Sequence, residues 1–232
     1  MNVLLFGATG MVGQGVLREC LLDPGVSLVQ TVGRSATGSQ QLKLREIVHA
    51  DLRHYDAIES KLSGFDACFF CLGVSSAGMN EADYERVTFG ITMAAAEVLC
   101  RLNPKMTFIY VSGTGTDSSE HGRTMWARVK GKTENALLRL PFAAAYMFRP
   151  GIIEPVHGVT SKTPGYRFFY AIAGPLLPLL RRAFPNHILT TQEIGLAMLS
   201  VTRQGYPKHV LETKDIRSIV GHNFRTASPS AR

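Results

Sequence analysis

Short apolar runs and stretches of helical spacing alternate along the first 150 residues of the chain. Val3-Leu-Leu-Phe6 is a continuous apolar run of the kind expected of a strand covered on both faces. Met11, Val12, Val16, Leu17, Cys20 and Leu21 then recur at helical spacing and stop at the turn sequence Asp23-Pro24-Gly25. Further strands are predicted at Leu28–Val32, Glu46–Ala50, Asp66–Leu72, Met106–Ser112 and Ala144–Phe148. Between them lie a long helix capped by Asn80, with Tyr84, Val87, Ile91, Val98, Leu99 and Leu102 on one stripe, and a helix Met125–Leu140 capped by Thr124. Strands separated by helical segments predict an α/β fold with a doubly wound parallel sheet, Rossmann-type.

After Pro150 the pattern loosens, with prolines at 155, 164, 175, 178 and 185, until a helix Thr191–Val201 and an apolar strand His209–Glu212. This shift divides the chain into a core, 1–152, and a small C-terminal substrate lobe, 153–232, over the carboxyl ends of the strands, both within one compact domain; Thr226–Arg232 reads as a loose tail. The apolar stretch Phe168–Leu180 is shorter than the ~20 residues of a membrane crossing and contains Gly174, Pro175 and Pro178, so it is expected to be buried or to face an apolar small-molecule substrate, with no transmembrane segment. The N-terminus carries no basic prelude or cleavable leader, which predicts a cytoplasmic protein.

The formal charge of +7 and a sequence pI near 9.4 favour an anionic partner. The basic residues are scattered, with Arg181-Arg182 and Lys130/Lys132 the densest groups, so no nucleic-acid arm is expected. Cys68-Phe-Phe-Cys71 has the spacing of redox and zinc sites but sits in a predicted strand. Residues i and i+3 there point to opposite faces with Cα atoms ~10 Å apart, beyond disulfide reach. Both read as core thiols, and no metal site is expected.

The chemistry concentrates in Gly7-Ala-Thr9-Gly10-Met11-Val12-Gly13, between the first strand and the first helix. Glycines there allow positive φ and let backbone N–H groups approach a phosphate, to which the helix N-terminus adds partial positive charge. The spacing is G-x-x-G-x-x-G rather than the G-x-G-x-x-G of the dinucleotide fingerprint.

With its strand and helix context, this loop resembles that of the short-chain dehydrogenase/reductase superfamily, particularly its extended and atypical branches, which include the NmrA-like regulators and the Tat-interacting-protein-like oxidoreductases. The similarity continues in order through Gly33-Arg34-Ser35, Asp51-Leu52, Cys71-Leu72-Gly73, Val111-Ser112 and Arg149-Pro150-Gly151, about two-thirds of the chain. The resemblance implies a nicotinamide dinucleotide cofactor held by Gly7, Thr9, Gly10, Met11, Val12 and Gly13. Asp51 would meet the adenine edge with Leu52 beside the ring, Cys71, Leu72 and Gly73 would line the ribose, and Pro150 and Gly151 would also bind the cofactor. An NAD site usually ends the second strand with Asp or Glu; Arg34 with Ser35 stands here instead, which suits the extra phosphate of NADP and puts NADP ahead of NAD, the alternative cofactor.

The superfamily's catalysis usually rests on Tyr-x-x-x-Lys on the helix after the fifth strand, with a Ser at that strand's end. This chain has Trp126-Ala-Arg-Val-Lys130 and Ser112. An indole can donate a hydrogen bond but has no accessible pKa with which to shuttle a proton. Ser112 reads either as a catalytic hydroxyl or as a strand-end bond to the backbone, Trp126 as core or as a wall beside the nicotinamide, and Lys130 as partner of Glu134 or as a ligand of the ribose. Tyr110, Tyr146, Tyr166 and Tyr170 are the alternative proton donors. The expected activity is NADP-dependent reduction or oxidation of a small apolar substrate, with a non-catalytic dinucleotide sensor as the alternative. Related proteins often dimerise through the helices at 80–102 and 125–140, the candidate homodimer surface.

Overall fold

The computed structural model describes residues 1–159, 180–182, 184 and 186–226. Seven parallel strands form one sheet: β1 (Asn2–Phe6), β2 (Leu28–Gly33), β3 (Leu44–Val48), β4 (Ala67–Phe70), β5 (Thr107–Val111), β6 (Ala144–Arg149) and, skipping two short strands, β9 (Val210–Glu212). Their order is β3-β2-β1-β4-β5-β6-β9, the doubly wound arrangement with its reversal between β1 and β4. The short strands β7 (Ile152–Glu154) and β8 (Ile188–Thr190) pair with each other in a parallel two-stranded sheet.

Alternation along β1 shows why both faces of the sheet are covered. Val3 and Leu5 enter a core made with α1 (Met11–Leu22), while Leu4 and Phe6 enter a second core with α3 (Ile91–Leu102) and Leu137 of α4 (Met125–Arg139). The second core carries a row of stacked rings, Phe6 on Phe70 at 5.1 Å, Phe70 on Phe108 at 5.9 Å and Phe108 on Phe142 at 5.0 Å. Cys68 faces this core and Cys71 packs against the other, and all four cysteines are free thiols.

Two C-terminal helices join the first core: α5 (Thr191–Gln204), through Ile194, Ala197 and Met198, and α6 (Thr213–Thr226), through Ile216, Ile219 and Val220. α5 crosses α1 closely. A Cβ on Gly15 would lie 2.5 Å from Thr191 Cβ, and one on Gly195 would lie 2.9 Å from Glu19 Cγ. Within 153–232, β9 is the last strand of the main sheet and α5 and α6 pack on its first core. The apolar stretch 168–179 lies outside the described residues.

Several boundaries differ from the sequence reading. β3 runs two residues earlier than expected, because its ladder starts where Leu44 meets Val29 and its edge position leaves Arg45 exposed and polar. The long helix from Asn80 is really α2 (Glu81–Glu85), a π-turn at Arg86–Gly90, and α3; Asn80 accepts from Asp83 N–H at 2.9 Å, as a cap should. Thr124 precedes α4 but makes no side-chain cap bond; its carbonyl takes the Ala127 and Arg128 N–H groups. α6 was not foreseen, although Ile216, Ile219 and Val220 stand at i, i+3 and i+4.

Candidate functional site

The loops after β1 and β4 meet where the strand order reverses, the place at which open α/β sheets bind ligands. Gly7 has φ of +78°, and a Cβ there would lie 2.7 Å from the Cys71 carbonyl and the Leu72 nitrogen. A Cβ on Gly13 would come within 2.1 Å of the Gly7 carbonyl oxygen. Gly10 donates its N–H to that same carbonyl at 2.9 Å and stands at the N-cap of α1 without a side-chain bond. The first bond of the helix runs from Gln14 N–H to the Gly10 carbonyl at 2.9 Å, so the N–H groups of Met11, Val12 and Gly13 lack intrahelical acceptors. No acidic residue occupies the first turn. Free N–H groups, the positive end of a helix dipole and a cradle that no Cβ could enter fit a pyrophosphate.

On the β2–β3 side the residues stand in solvent. Arg34 and Ser35 are exposed just past β2, and Arg34 has no ion-pair partner among the described residues. Asp51 is held by its own turn, accepting from His54 Nδ1 at 2.9 Å and from Arg53 N–H at 3.0 Å. The His54 bond, followed by that of Arg53, lowers its carboxyl to about 2. Leu52 is buried among the aromatic rings of the second core, so its side chain is not free to flank a ligand ring. Gly73 is open, and burial pushes the Cys71 thiol well above its ordinary range. Beside Thr9 a cleft of about 520 Å³ opens between α1 and the β2–β3 connection, with Arg18, Thr37, Ser39 and Gln41 among its walls.

The β5–β6 side is buried and cross-linked. The Ser112 hydroxyl donates to Glu134 Oε1 at 2.5 Å, inside the protein, with the Phe148 carbonyl 3.1 Å away. Glu134 in turn takes the Arg149 Nε at 3.0 Å and a second bond from Arg149 Nη2. Lys130 does not hydrogen-bond Glu134; its Nζ donates to the Ser112 carbonyl. Burial of this lysine, opposed by the Glu134 charge, lowers its pKa to about 8. Trp126 lies one helical turn before Lys130, partly exposed, with its ring edge 3.6 Å from where a Cβ on Gly115 would stand. Pro150 is buried, and the Gly151 N–H donates to Thr213 Oγ1 at 2.8 Å.

Of the tyrosines named as stand-in donors, Tyr110 is buried in the second core, where desolvation pushes its phenol up, and Tyr146 is buried against the His209 ring, its hydroxyl oxygen accepting the Tyr206 N–H at 3.1 Å. Tyr166 and Tyr170 lie outside the described residues. Sequence reasoning missed Glu134 as the partner of Arg149, and it missed Thr114 and Thr213. One signal was available: Arg149 ends the apolar run Ala144–Phe148, and a charge at the end of a buried strand needs a partner.

The fold and the glycine cradle define a Rossmann-type α/β protein with a loop that fits a pyrophosphate. Residues 3–124 match the model of the NAD dependent epimerase/dehydratase family, and the chain belongs to that family. It is 31% identical over 155 residues to "Protein FMP52-2, mitochondrial" of Scheffersomyces stipitis, a match spanning 66% of each chain. Among solved structures, the Bordetella bronchiseptica enzyme WbmF in complex with NAD+ superposes with a TM-score of 0.67 at 13% identity, covering 98% of this chain and 79% of that one. A short-chain dehydrogenase/reductase from Saccharomyces cerevisiae gives 0.64 at 13% identity, covering 95% and 98%. These folds agree with the superfamily resemblance read from the loops. The mitochondrial name of the yeast relative overturns the expectation of a purely cytoplasmic location, which rested only on the character of the first residues.

Proposed function

We propose that the chain is an NADP-dependent oxidoreductase acting on a small apolar carbonyl compound or the corresponding alcohol through a site that has lost its tyrosine. The observation that carries the reading is the cradle of Gly7, Gly10 and Gly13 at the switch point, together with Ser112 at the end of β5 and Lys130 bonded to its carbonyl. The preference for NADP rests on Arg34, exposed and free of an ion pair among the described residues, together with the polar walls of the cleft beside Thr9. A bound reduced nicotinamide supplies hydride. The proton for the carbonyl oxygen comes from Lys130 Nζ, directly or through one water, because the lowered pKa keeps that proton exchangeable near neutral pH and Ser112 gives its own to Glu134. Trp126 supplies a flat face beside Lys130 and no proton.

A second reading, a dinucleotide sensor without turnover, is favoured by Trp126 itself. Trp126 is the chain's one tryptophan, so it also reports on the site. Quenching of its emission at lower concentrations of NADPH than of NADH is the expected result, and an unchanged emission with no calorimetric heat from either coenzyme refutes the dinucleotide reading. Turnover of hydrophobic aldehydes or quinones that rises in W126Y marks a weakened enzyme. Binding without turnover in both forms leaves the sensor.

A further inference from the structure

We propose that the buried Glu134–Arg149 pair is the positioning device for the nicotinamide half of the site, acting on that half alone. The inference rests on the dinucleotide reading above. One carboxylate and one guanidinium here tie together parts of the chain that are far apart in sequence. Glu134, on α4, takes the Ser112 hydroxyl from the end of β5 and two nitrogens of Arg149 from the end of β6. Arg149 donates further to Ser118 Oγ in the β5–α4 loop at 2.5 Å and to Glu212 at the end of β9 at 3.3 Å.

The backbone around the pair is laced in the same sense. Thr114 N–H donates to the Pro150 carbonyl at 2.9 Å, and the Thr114 hydroxyl donates to the Arg149 carbonyl at 3.1 Å. Lys130 hangs from the carbonyl of Ser112, so the position of its ammonium follows from where Glu134 holds that residue. Gly131 leaves no slack, since a Cβ there would overlap the Asp117 carbonyl oxygen at 1.8 Å. By contrast, no bond of this network reaches Arg34, Ser35 or Asp51.

A buried ion pair is by itself weak evidence for stability, since apolar residues of similar volume often do as well. Geometry is what such residues would not reproduce: a fork and a carboxylate bonded to each other also hold three further groups, Ser112 Oγ, Ser118 Oγ and the Glu212 carboxylate. Glu134 and Arg149 are therefore positioning residues, acting through Lys130, Ser112 and the Pro150-Gly151 turn.

The test compares the full chain with E134Q, R149M and R149K, measuring calorimetric affinity for NADPH and for 2',5'-ADP, which lacks the nicotinamide half, and the emission of bound NADPH. E134Q and R149M are expected to weaken NADPH about tenfold or more and to shift its emission toward that of free NADPH, while 2',5'-ADP stays within about twofold. R149K, which keeps the charge and loses the fork, is expected to fall between wild type and R149M. Equal losses for both ligands would show a merely structural role and overturn the proposal, and so would unchanged NADPH affinity and emission in folded variants. Failure of the wild-type chain itself to bind NADPH would instead bring down the dinucleotide reading on which the proposal rests.

Discussion

The two sides of the site are built in opposite ways. On the β2–β3 side, Arg34, Ser35 and Asp51 are exposed, and the bonds of Asp51 run to residues two and three places on. On the β5–β6 side, Ser112, Glu134 and Arg149 are buried, and their bonds join residues 15, 22 and 63 places apart. The first side can change residue by residue with little effect on the fold, so it suits discrimination between coenzymes. The second stands or falls as a unit, so it suits holding a reacting group in register.

The sharpest way to break this contrast is to remove one charge on each side. R149M or E134A leaves a buried partner uncompensated and is expected to lose about 3–5 kcal/mol in urea unfolding, whereas D51N, at an exposed carboxylate, is expected to stay near wild type. A loss of similar size from D51N would erase the distinction. R34A comes next: it is expected to reduce NADPH affinity by about 1.5–3 kcal/mol through loss of a charge-assisted contact and to leave NADH affinity and melting temperature unchanged. Equal loss of both coenzymes would remove Arg34 from the discrimination.

Lys130 offers a smaller test with a definite sign. Its folded pKa is about 8 against an ordinary 10.5, so between those values the unfolded chain binds more protons than the folded one. This group therefore adds stability as pH rises from 8 toward 10.5, and the melting temperature of wild type should climb relative to K130M across that window. A constant difference would show that the ammonium is not buried at a cost. The smallest effect is expected at Gly73, where no atom lies within 4 Å of the added methyl. G73A should change stability by less than about 0.5 kcal/mol, in contrast to G13A, whose methyl overlaps the Gly7 carbonyl.

The same contrast explains how much could be read in advance. The places of the glycine loop after β1, of Arg34 after β2 and of Asp51 after β3 were legible because each is a local feature, a strand end and a turn written within a few residues. The continuous apolar run Val3–Phe6 likewise announced a sheet covered on both faces. The pairing of Arg149 with Glu134 was not legible, nor was the insertion of β9 beside β6, nor the close crossing of α1 and α5 at Gly15 and Gly195. Ser112 shows the difference within one residue. Its place at the end of β5 was evident, yet the direction of its hydroxyl, inward to Glu134, depended on a helix 22 residues further along.

By itself, then, the order of residues determined most of the strands and helices of the core, their two-sided burial and the glycine loop, because backbone conformation and hydrophobic period act over short stretches of chain. Tertiary structure decided which polar groups would satisfy one another at the ends of β5 and β6. A buried charge accepts whichever partner the packed strands bring within hydrogen-bond reach, and that distance is not written in the spacing along the chain.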